Sequence, residues 1–168
     1  MFGGLFLTKA TGSNPKPDGP ARAYEYQYSG TMMYPITYYN VKRDENGAVR
    51  IAYLEEERDY KNPNGPDMII IPGPEDFFEQ VDATVAQYKL HRLRGTYTPR
   101  ALVLDGYMWH AYIRFQKNSI STGGSNTWPK KELWSGIEAI NACIQAAIEA
   151  STEDDIVDRI PYNEFRQY

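Results

Sequence analysis

The sequence contains few of the residues that build disulfides and soft-metal sites. Its 168 residues include one cysteine, Cys143, and two histidines, His91 and His110. One cysteine cannot form an internal disulfide, and these side chains are too few for a familiar four-ligand zinc site of nitrogen and sulfur. We therefore expect no metal and no cofactor, and the cysteine usage favours a cytoplasmic location.

Long apolar runs and an excess of basic residues are also missing. No apolar run approaches the roughly 20 residues that cross a bilayer, so we predict no membrane span. The apolar stretch 1–7 has neither a preceding basic residue nor a cleavage-type sequence, so we expect no signal peptide there. The formal net charge of −4 at pH 7 argues against a general nucleic-acid binder.

The motifs of familiar enzyme families are absent. The chain has no G-x-x-x-x-G-K phosphate loop, no G-x-G-x-x-G turn, no H-E-x-x-H, no C-x-x-C and no G-x-S-x-G. Each of these spacings serves a known chemistry, from phosphate binding to nucleophilic attack. Without them the sequence has no recognised catalytic signature, and we favour a protein that is not an enzyme.

Tyrosine is the residue that the chain has in excess. Aromatic residues make up 14% of the sequence, and it holds 14 tyrosines. The phenol ring suits a pleated surface that is dry on one side and wet on the other. Tyr24, Tyr26 and Tyr28 alternate with polar residues, which predicts a half-buried strand. We expect tyrosines such as Tyr26 and Tyr39 to lie on an exposed face of the sheet.

Local patterns predict strands and two helices. Asp44–Gly47 is the strongest hairpin signal, because Asn46 and Gly47 both tolerate the positive φ of a tight turn. Apolar residues at three- and four-residue steps predict one helix over about 73–93 and another over about 129–150. Strand-like patterns occur at 24–28, 36–43, 48–56, 68–71, 101–104, 107–115 and 119–122.

The order of these elements indicates the fold class. It reads β-β-β-(β)-α-β-β-α, with short turns that favour antiparallel pairing. We predict an α+β fold in which an antiparallel sheet of five to six strands carries two amphipathic helices on one face. Gly123 and Gly124 are predicted to end the last strand. Residues 1–22 are predicted to be a flexible N-terminal segment, since they include a stretch rich in proline and glycine, and 23–168 a single domain.

The predicted strand 107–115 supplies candidate site residues. Its alternation places Met108, His110, Tyr112 and Arg114 on one face and Tyr107, Trp109, Ala111, Ile113 and Phe115 on the other. On an open face, His110, Tyr112 and Arg114 would bind an anion or shuttle a proton, although a merely solvated or hydrogen-bonded histidine is the alternative. Asp105 lies at a bend beside Trp109, where it would cap a turn or line a small-molecule pocket.

Three short stretches resemble an uncharacterised family of small bacterial proteins. They are Val103–Trp109, which reads V-L-D-G-Y-M-W, Gly124–Pro129, which reads G-S-N-T-W-P and opens a helix, and Tyr28–Met32, which a hairpin follows. The resemblance spans roughly residues 24 to 150. It implies a bacterial source and a shared α+β domain, and it implies no activity because none is known for that family.

The residues support three hypotheses of function. The first is a non-enzymatic binding or protein-interaction module that recognises a protein or a small molecule through its tyrosine-rich sheet face. The second is an enzyme with an unfamiliar site, which requires one pocket that gathers Asp105, Trp109, His110 and Arg114. The third is a homo-oligomer, such as a homodimer, that associates through the same tyrosines.

Overall fold

A computed structural model of the chain describes residues 12–31, 33–55, 63, 65–101 and 106–166. Within these ranges the chain forms eight strands and three α-helices. The strands are β1 (Ala21–Ser29), β2 (Thr37–Arg43), β3 (Val49–Leu54), β4 (Asp67–Pro72), β5 (Thr96–Tyr97), β6 (Met108–Phe115), β7 (Ser119–Ser125) and β8 (Asp158–Pro161). The helices are α1 (Phe77–Tyr88), α2 (Lys131–Ala150) and α3 (Tyr162–Phe165).

All eight strands belong to one sheet, in the order β5-β7-β6-β1-β2-β3-β4-β8. Neighbouring strands are antiparallel except for β5 and β7, which are parallel. The predicted α+β class is confirmed, but the predicted count of five to six strands is too low. Strands β5 and β8, of two and four residues, are too short to show a period-two pattern. Most of the predicted strand 101–104 falls outside the described residues.

The hairpin of β2 and β3 forms as predicted. Val41 pairs with Ile51, and the turn between the strands contains Gly47 at a φ of +82°. Asp44 stabilises this turn, because its carboxylate accepts hydrogen bonds from the backbone N–H groups of Asn46 (2.9 Å) and Ala48 (3.0 Å). The carboxylate also pairs with Arg50 at 2.9 Å. The pairing of β2 and β3 therefore follows directly from local turn chemistry.

Helices α1 and α2 pack side by side on one face of the sheet, as their apolar stripes predict. The tyrosines of β1 point towards these helices, so the prediction that Tyr26 is exposed is wrong: only 8% of its surface is exposed. Tyr39 is half-buried on the same face, with its ring centroid 6.2 Å from that of Tyr26. The hydroxyl of a tyrosine on this face can find a hydrogen-bond partner inside the core. The Tyr24 hydroxyl, for example, donates to Asn141 Oδ1 at 2.7 Å.

The opposite face of the sheet is divided into two halves. Over β2, β3 and β4, the one-turn helix α3 packs Tyr162 and Phe165 on an apolar surface formed by Tyr38, Ala52, Leu54 and Met68. We call this the closed half. The third helix was not predicted, since a single turn is too short to show helical periodicity. Over β1, β6 and β7 the face carries small and polar side chains beside Met108 and Tyr112, and no helix covers it in the described part of the chain.

Residues 13–18 run along the outer edge of β7 as part of the domain. Asn14 binds the backbone of both Leu93 and Ser121, and Asp18 N–H donates to Asn118 Oδ1 at 3.0 Å. The sequence placed this stretch in a flexible N-terminal segment because proline and glycine are frequent in it. Side-chain hydrogen bonds to distant residues fix it instead, and local composition does not reveal them.

No helix in the described ranges is long and apolar enough to cross a membrane.

Candidate functional site: a trough along β7

A cavity of about 620 Å³ lies on the uncovered half of the sheet face. Its floor is formed by alternate residues of β7, which are Ser119, Ser121, Gly123 and Ser125. One wall consists of Met108, His110 and Tyr112 of β6, continued by Gln27 and Ser29 of β1. The other wall includes Asn14 and residues 95–98. We call this cavity the trough; its volume falls in the range of small-molecule binding sites.

The trough exists because a row of small side chains lies beside a row of large ones. Strands β6 and β7 are antiparallel, and their register places Tyr112 opposite Ser121 and His110 opposite Gly123. Directly opposed residues share a face, so the β6 side chains rise next to serines and a glycine. This difference in height along two neighbouring strands produces the depression.

The outer wall is fixed by hydrogen bonds to the backbone. The side chain of Asn14 donates to Leu93 O at 2.8 Å and accepts from the backbone N–H of Ser121 at 3.0 Å. Farther along, β5 pairs with β7 through Thr96 and Gly123. The outer edge of β7 is thus occupied along much of its length, and its backbone groups are already used.

Two consecutive glycines allow β7 to continue through the trough. A Cβ atom on Gly124 would lie 2.3 Å from Thr127 O, and one on Gly123 would lie 2.9 Å from Trp109 O. The prediction that these glycines end the strand is wrong, because β7 extends to Ser125. They permit close approach of neighbouring backbone within the sheet, and Gly123 leaves the floor beside His110 without a side chain.

His110 lies at the centre of the inner wall. Its Nε2 is 3.3 Å from Ser121 Oγ, in hydrogen-bond contact, and Gln27 is its cross-strand neighbour on β1. Burial lowers the pKa of His110 to about 4. The imidazole is therefore neutral at pH 7, with one nitrogen that donates and one that accepts.

Glu25 and Arg166 mark the boundary between the trough and the closed half. Glu25 lies opposite Tyr112 in the register and accepts from Asn40 Nδ2 at 3.3 Å. Burial raises the pKa of Glu25, while a hydrogen bond from Tyr38 and the charge of Arg166 oppose that rise. Arg166 follows α3, borders the trough, and donates from Nη1 to the Tyr162 hydroxyl at 2.7 Å. Its charge is thus engaged with groups of the protein itself.

The structure separates the predicted site residues into two groups. His110, Tyr112 and Arg114 share the uncovered face, as the alternation predicted, although Arg114 does not line the trough. Trp109 borders the trough but is only 3% exposed, and its indole donates to Thr127 O at 2.8 Å on the helix side. The tyrosine pair of β1 and β2 also lies on the helix side. Asp105 lies outside the described residues.

Sequence reasoning missed the floor of the trough. Its residues are small and polar, and none belongs to a type that suggests chemistry on its own. One signal was present: in the stretch S-I-S-T-G-G-S over 119–125, small residues alternate with Ile120 and Thr122, which are buried. That alternation is typical of a strand with one bare, polar face.

No family model matches this chain, and no curated protein matches it. The resemblance to a bacterial family therefore stays a prediction. Among the described residues, no group of three or more histidine, cysteine, aspartate or glutamate side chains is placed to hold a metal ion.

Proposed function

We propose that the protein is a non-enzymatic binding module whose trough takes a neutral, hydroxyl-rich small molecule, of which a carbohydrate is the natural example. The observation that carries this proposal is the chemistry of the trough lining. Hydroxyls of serine and threonine, the amide of Gln27 and a neutral imidazole surround one cavity. Such groups both donate and accept, as the hydroxyls of a sugar do.

Charge supports a neutral ligand. Arg166 is the one formally charged residue among the described residues that line the trough, and Glu25, Tyr38 and Tyr162 interact with it. A charged group that enters a cavity loses water, and this costs free energy unless an opposite charge receives it. A neutral ligand avoids that cost and exchanges hydrogen bonds with water for hydrogen bonds with the lining.

Tyrosine at the wall adds an apolar surface. Tyr112 is half-buried on the inner wall. Tyrosine combines a flat apolar ring with a polar hydroxyl, so it suits a ligand whose faces are apolar and whose rim is polar. A pyranose ring has this distribution.

The pairing of His110 with Ser121 supports binding more than nucleophilic catalysis. Activation of a serine requires a base that takes its proton near the working pH. With a pKa of about 4, the imidazole of His110 is a weak base. It serves better as a fixed donor and acceptor for a ligand hydroxyl.

A matched trio of ligands tests the proposal: glucose, glucosamine and glucuronic acid, which share one ring and differ in charge. We expect glucose, or a neutral epimer such as galactose, to shift the amide NMR signals of Ser121 and Gly123. The charged members should bind at least about tenfold more weakly, which corresponds to about 1.4 kcal/mol. Titration followed by ¹H–¹⁵N spectra gives both the dissociation constant and the location.

Two variants serve as the test and its control. Ser121→Leu fills the floor of the trough and should abolish the shifts, whereas Ser135→Leu makes the same change on α2, away from the trough, and should leave them intact. Circular dichroism establishes that both variants are folded. The proposal fails if charged sugars bind more tightly than neutral ones, or if no neutral sugar shifts the trough signals.

A further inference from the structure

The trough extends along the whole of β7. Ser119 and Ser125, the first and last residues of the strand, both line it. A strand rises about 3.3 Å per residue, so seven residues give a floor roughly 20 Å long. A single sugar ring covers only part of such a floor.

The floor carries hydroxyls over most of its length. Ser119 and Ser121 are about 6.6 Å apart, Ser125 lies about 13 Å beyond Ser121, and Gly123 between them has no side chain. At the end near Ser125, Met108 is 62% exposed. At the other end, the exposed Arg114 lies opposite Ser119. The floor therefore offers hydroxyls at both of its ends as well as at Ser121.

We propose that the ligand is a linear, neutral oligosaccharide that lies lengthwise along β7. This inference rests on the proposed function and adds the shape of the ligand. The length of the floor matches an extended ligand, whereas a compact ligand would cover only part of it.

An extended peptide fits the trough less well. Peptides that bind to sheets gain affinity by adding a strand at an edge, where free N–H and C=O groups receive them. The edge of β7 beside the trough is already occupied by Asn14 and β5. A peptide on the face would have to pair each backbone group with side-chain hydroxyls that recur only at every second residue.

A chain-length series tests the inference. Glucose and its linear di-, tetra- and hexasaccharides, in both α-1,4- and β-1,4-linked forms, are titrated against the full chain. We expect the affinity for one linkage to rise by about tenfold or more from the mono- to the tetrasaccharide and then to level off. The amide shifts should spread from Ser121 and Gly123 to both Ser119 and Ser125 as the ligand lengthens.

Two end variants sharpen the test. Ser119→Leu and Ser125→Leu block opposite ends of the floor, so each should weaken tetrasaccharide binding by about fivefold. Ser135→Leu again serves as the control. The shift pattern of the unchanged protein carries the same information without any variant, should a leucine reduce stability.

The possible failures are distinguishable. If the monosaccharide binds as tightly as the tetrasaccharide, the linear-ligand inference falls and the proposed function stands. Absence of binding by every neutral sugar removes both. Tighter binding of an extended serine–threonine peptide than of the tetrasaccharide overturns the inference in favour of a peptide ligand.

Discussion

The two halves of the sheet face opposite α1 and α2 differ in what covers them. On the closed half, Tyr38 and Met68 are buried under α3. On the other half, His110 and Ser121 border an open trough. Apolar side chains gain free energy when a covering element removes them from water, whereas hydroxyls and amides gain little. Helix α3 covers the apolar half and leaves the half that holds the trough accessible.

The two halves of the sheet face also differ in whether they contribute to stability or to binding. In the closed half the ring of Tyr162 meets the rings of Tyr34 and Tyr38 edge-on, at centroid distances of 5.7 and 6.0 Å. Such aromatic pairs stabilise the fold beyond the area that they bury. Tyr97 and Trp109, which border the trough, pair with each other at a centroid distance of 5.9 Å and pack into the core on the helix side. We therefore expect substitutions in the closed half to change the free energy of unfolding and substitutions in the trough to change binding.

The largest expected effect is that of Tyr162→Ala. Tyr162 is 4% exposed, and its loss would leave a cavity under α3 and uncover Tyr38. We expect the free energy of unfolding to fall by about 4 kcal/mol, as for other buried aromatic residues. Urea denaturation followed by circular dichroism measures it. Tyr112→Ala, the same change at the wall of the trough, is the control and should cost less than about 1 kcal/mol. Equal losses in both variants would contradict the division into two halves.

The sequence predicted those parts of the fold that local patterns determine. The Asp44–Gly47 hairpin, the alternation of β6 and helix α2 all follow from turn residues or apolar spacing. Periodicity shows which residues share a face, but it does not show which face the helices cover. Tyr26 was therefore placed on the exposed side although its spacing was interpreted correctly. Tertiary packing decides which face is buried, and tyrosine is compatible with both a buried and an exposed face.

The trough could be predicted only in part. The shared face of His110, Tyr112 and Arg114 follows from strand geometry. The remaining parts depend on partners that are distant in sequence: Asn14 reaches Ser121 across 107 positions, and Gly123 is needed because Trp109 O lies close to it. Small residues carry no chemical signature, so a floor made of them emerges only when the neighbouring strand is in place.

The second expected effect is a pH dependence caused by His110. Its pKa is lowered from 6.5 to about 4, so the folded protein binds fewer protons than the unfolded chain in this window. The contribution of His110 to the free energy of unfolding is therefore fully present above pH 6.5 and is lost as pH falls towards 4. Relative to a His110→Gln variant, we expect the loss to reach about 2 kcal/mol, since partial exposure reduces the full linkage value.

An NMR titration checks the cause of this effect directly. The imidazole signals of His110 should remain those of the neutral ring down to about pH 4. His91, at the 3₁₀ turn that follows α1, serves as the internal control. Burial lowers its pKa and nearby cations lower it further, but the shift is smaller than that of His110. If the two histidines titrate together near pH 6.5, the imidazole of His110 is more accessible to water than the geometry of the trough indicates.

The smallest expected effect comes from Glu25, at the boundary between the two halves. Its contribution to stability changes with pH in the direction opposite to that of His110. Burial raises the pKa of this carboxyl above its ordinary value of 4.5, so the folded state binds the proton more tightly than the unfolded chain. Its contribution to stability is therefore full below pH 4.5 and is lost as pH rises through the folded pKa. Because Glu25→Gln removes this titration, the stability of the unchanged protein relative to the variant should fall as pH increases above 4.5.

Urea denaturation of both proteins at several pH values measures this difference. His110→Gln and Glu25→Gln should therefore give difference curves of opposite slope, although the two residues lie on the same sheet face. The reason is that burial favours the neutral form of each group, and neutrality requires a lost proton for histidine and a gained proton for glutamate. A flat curve for Glu25→Gln would mean that Arg166 fully compensates the burial of the carboxylate. The boundary of the trough would then be an ion pair rather than a partly desolvated acid.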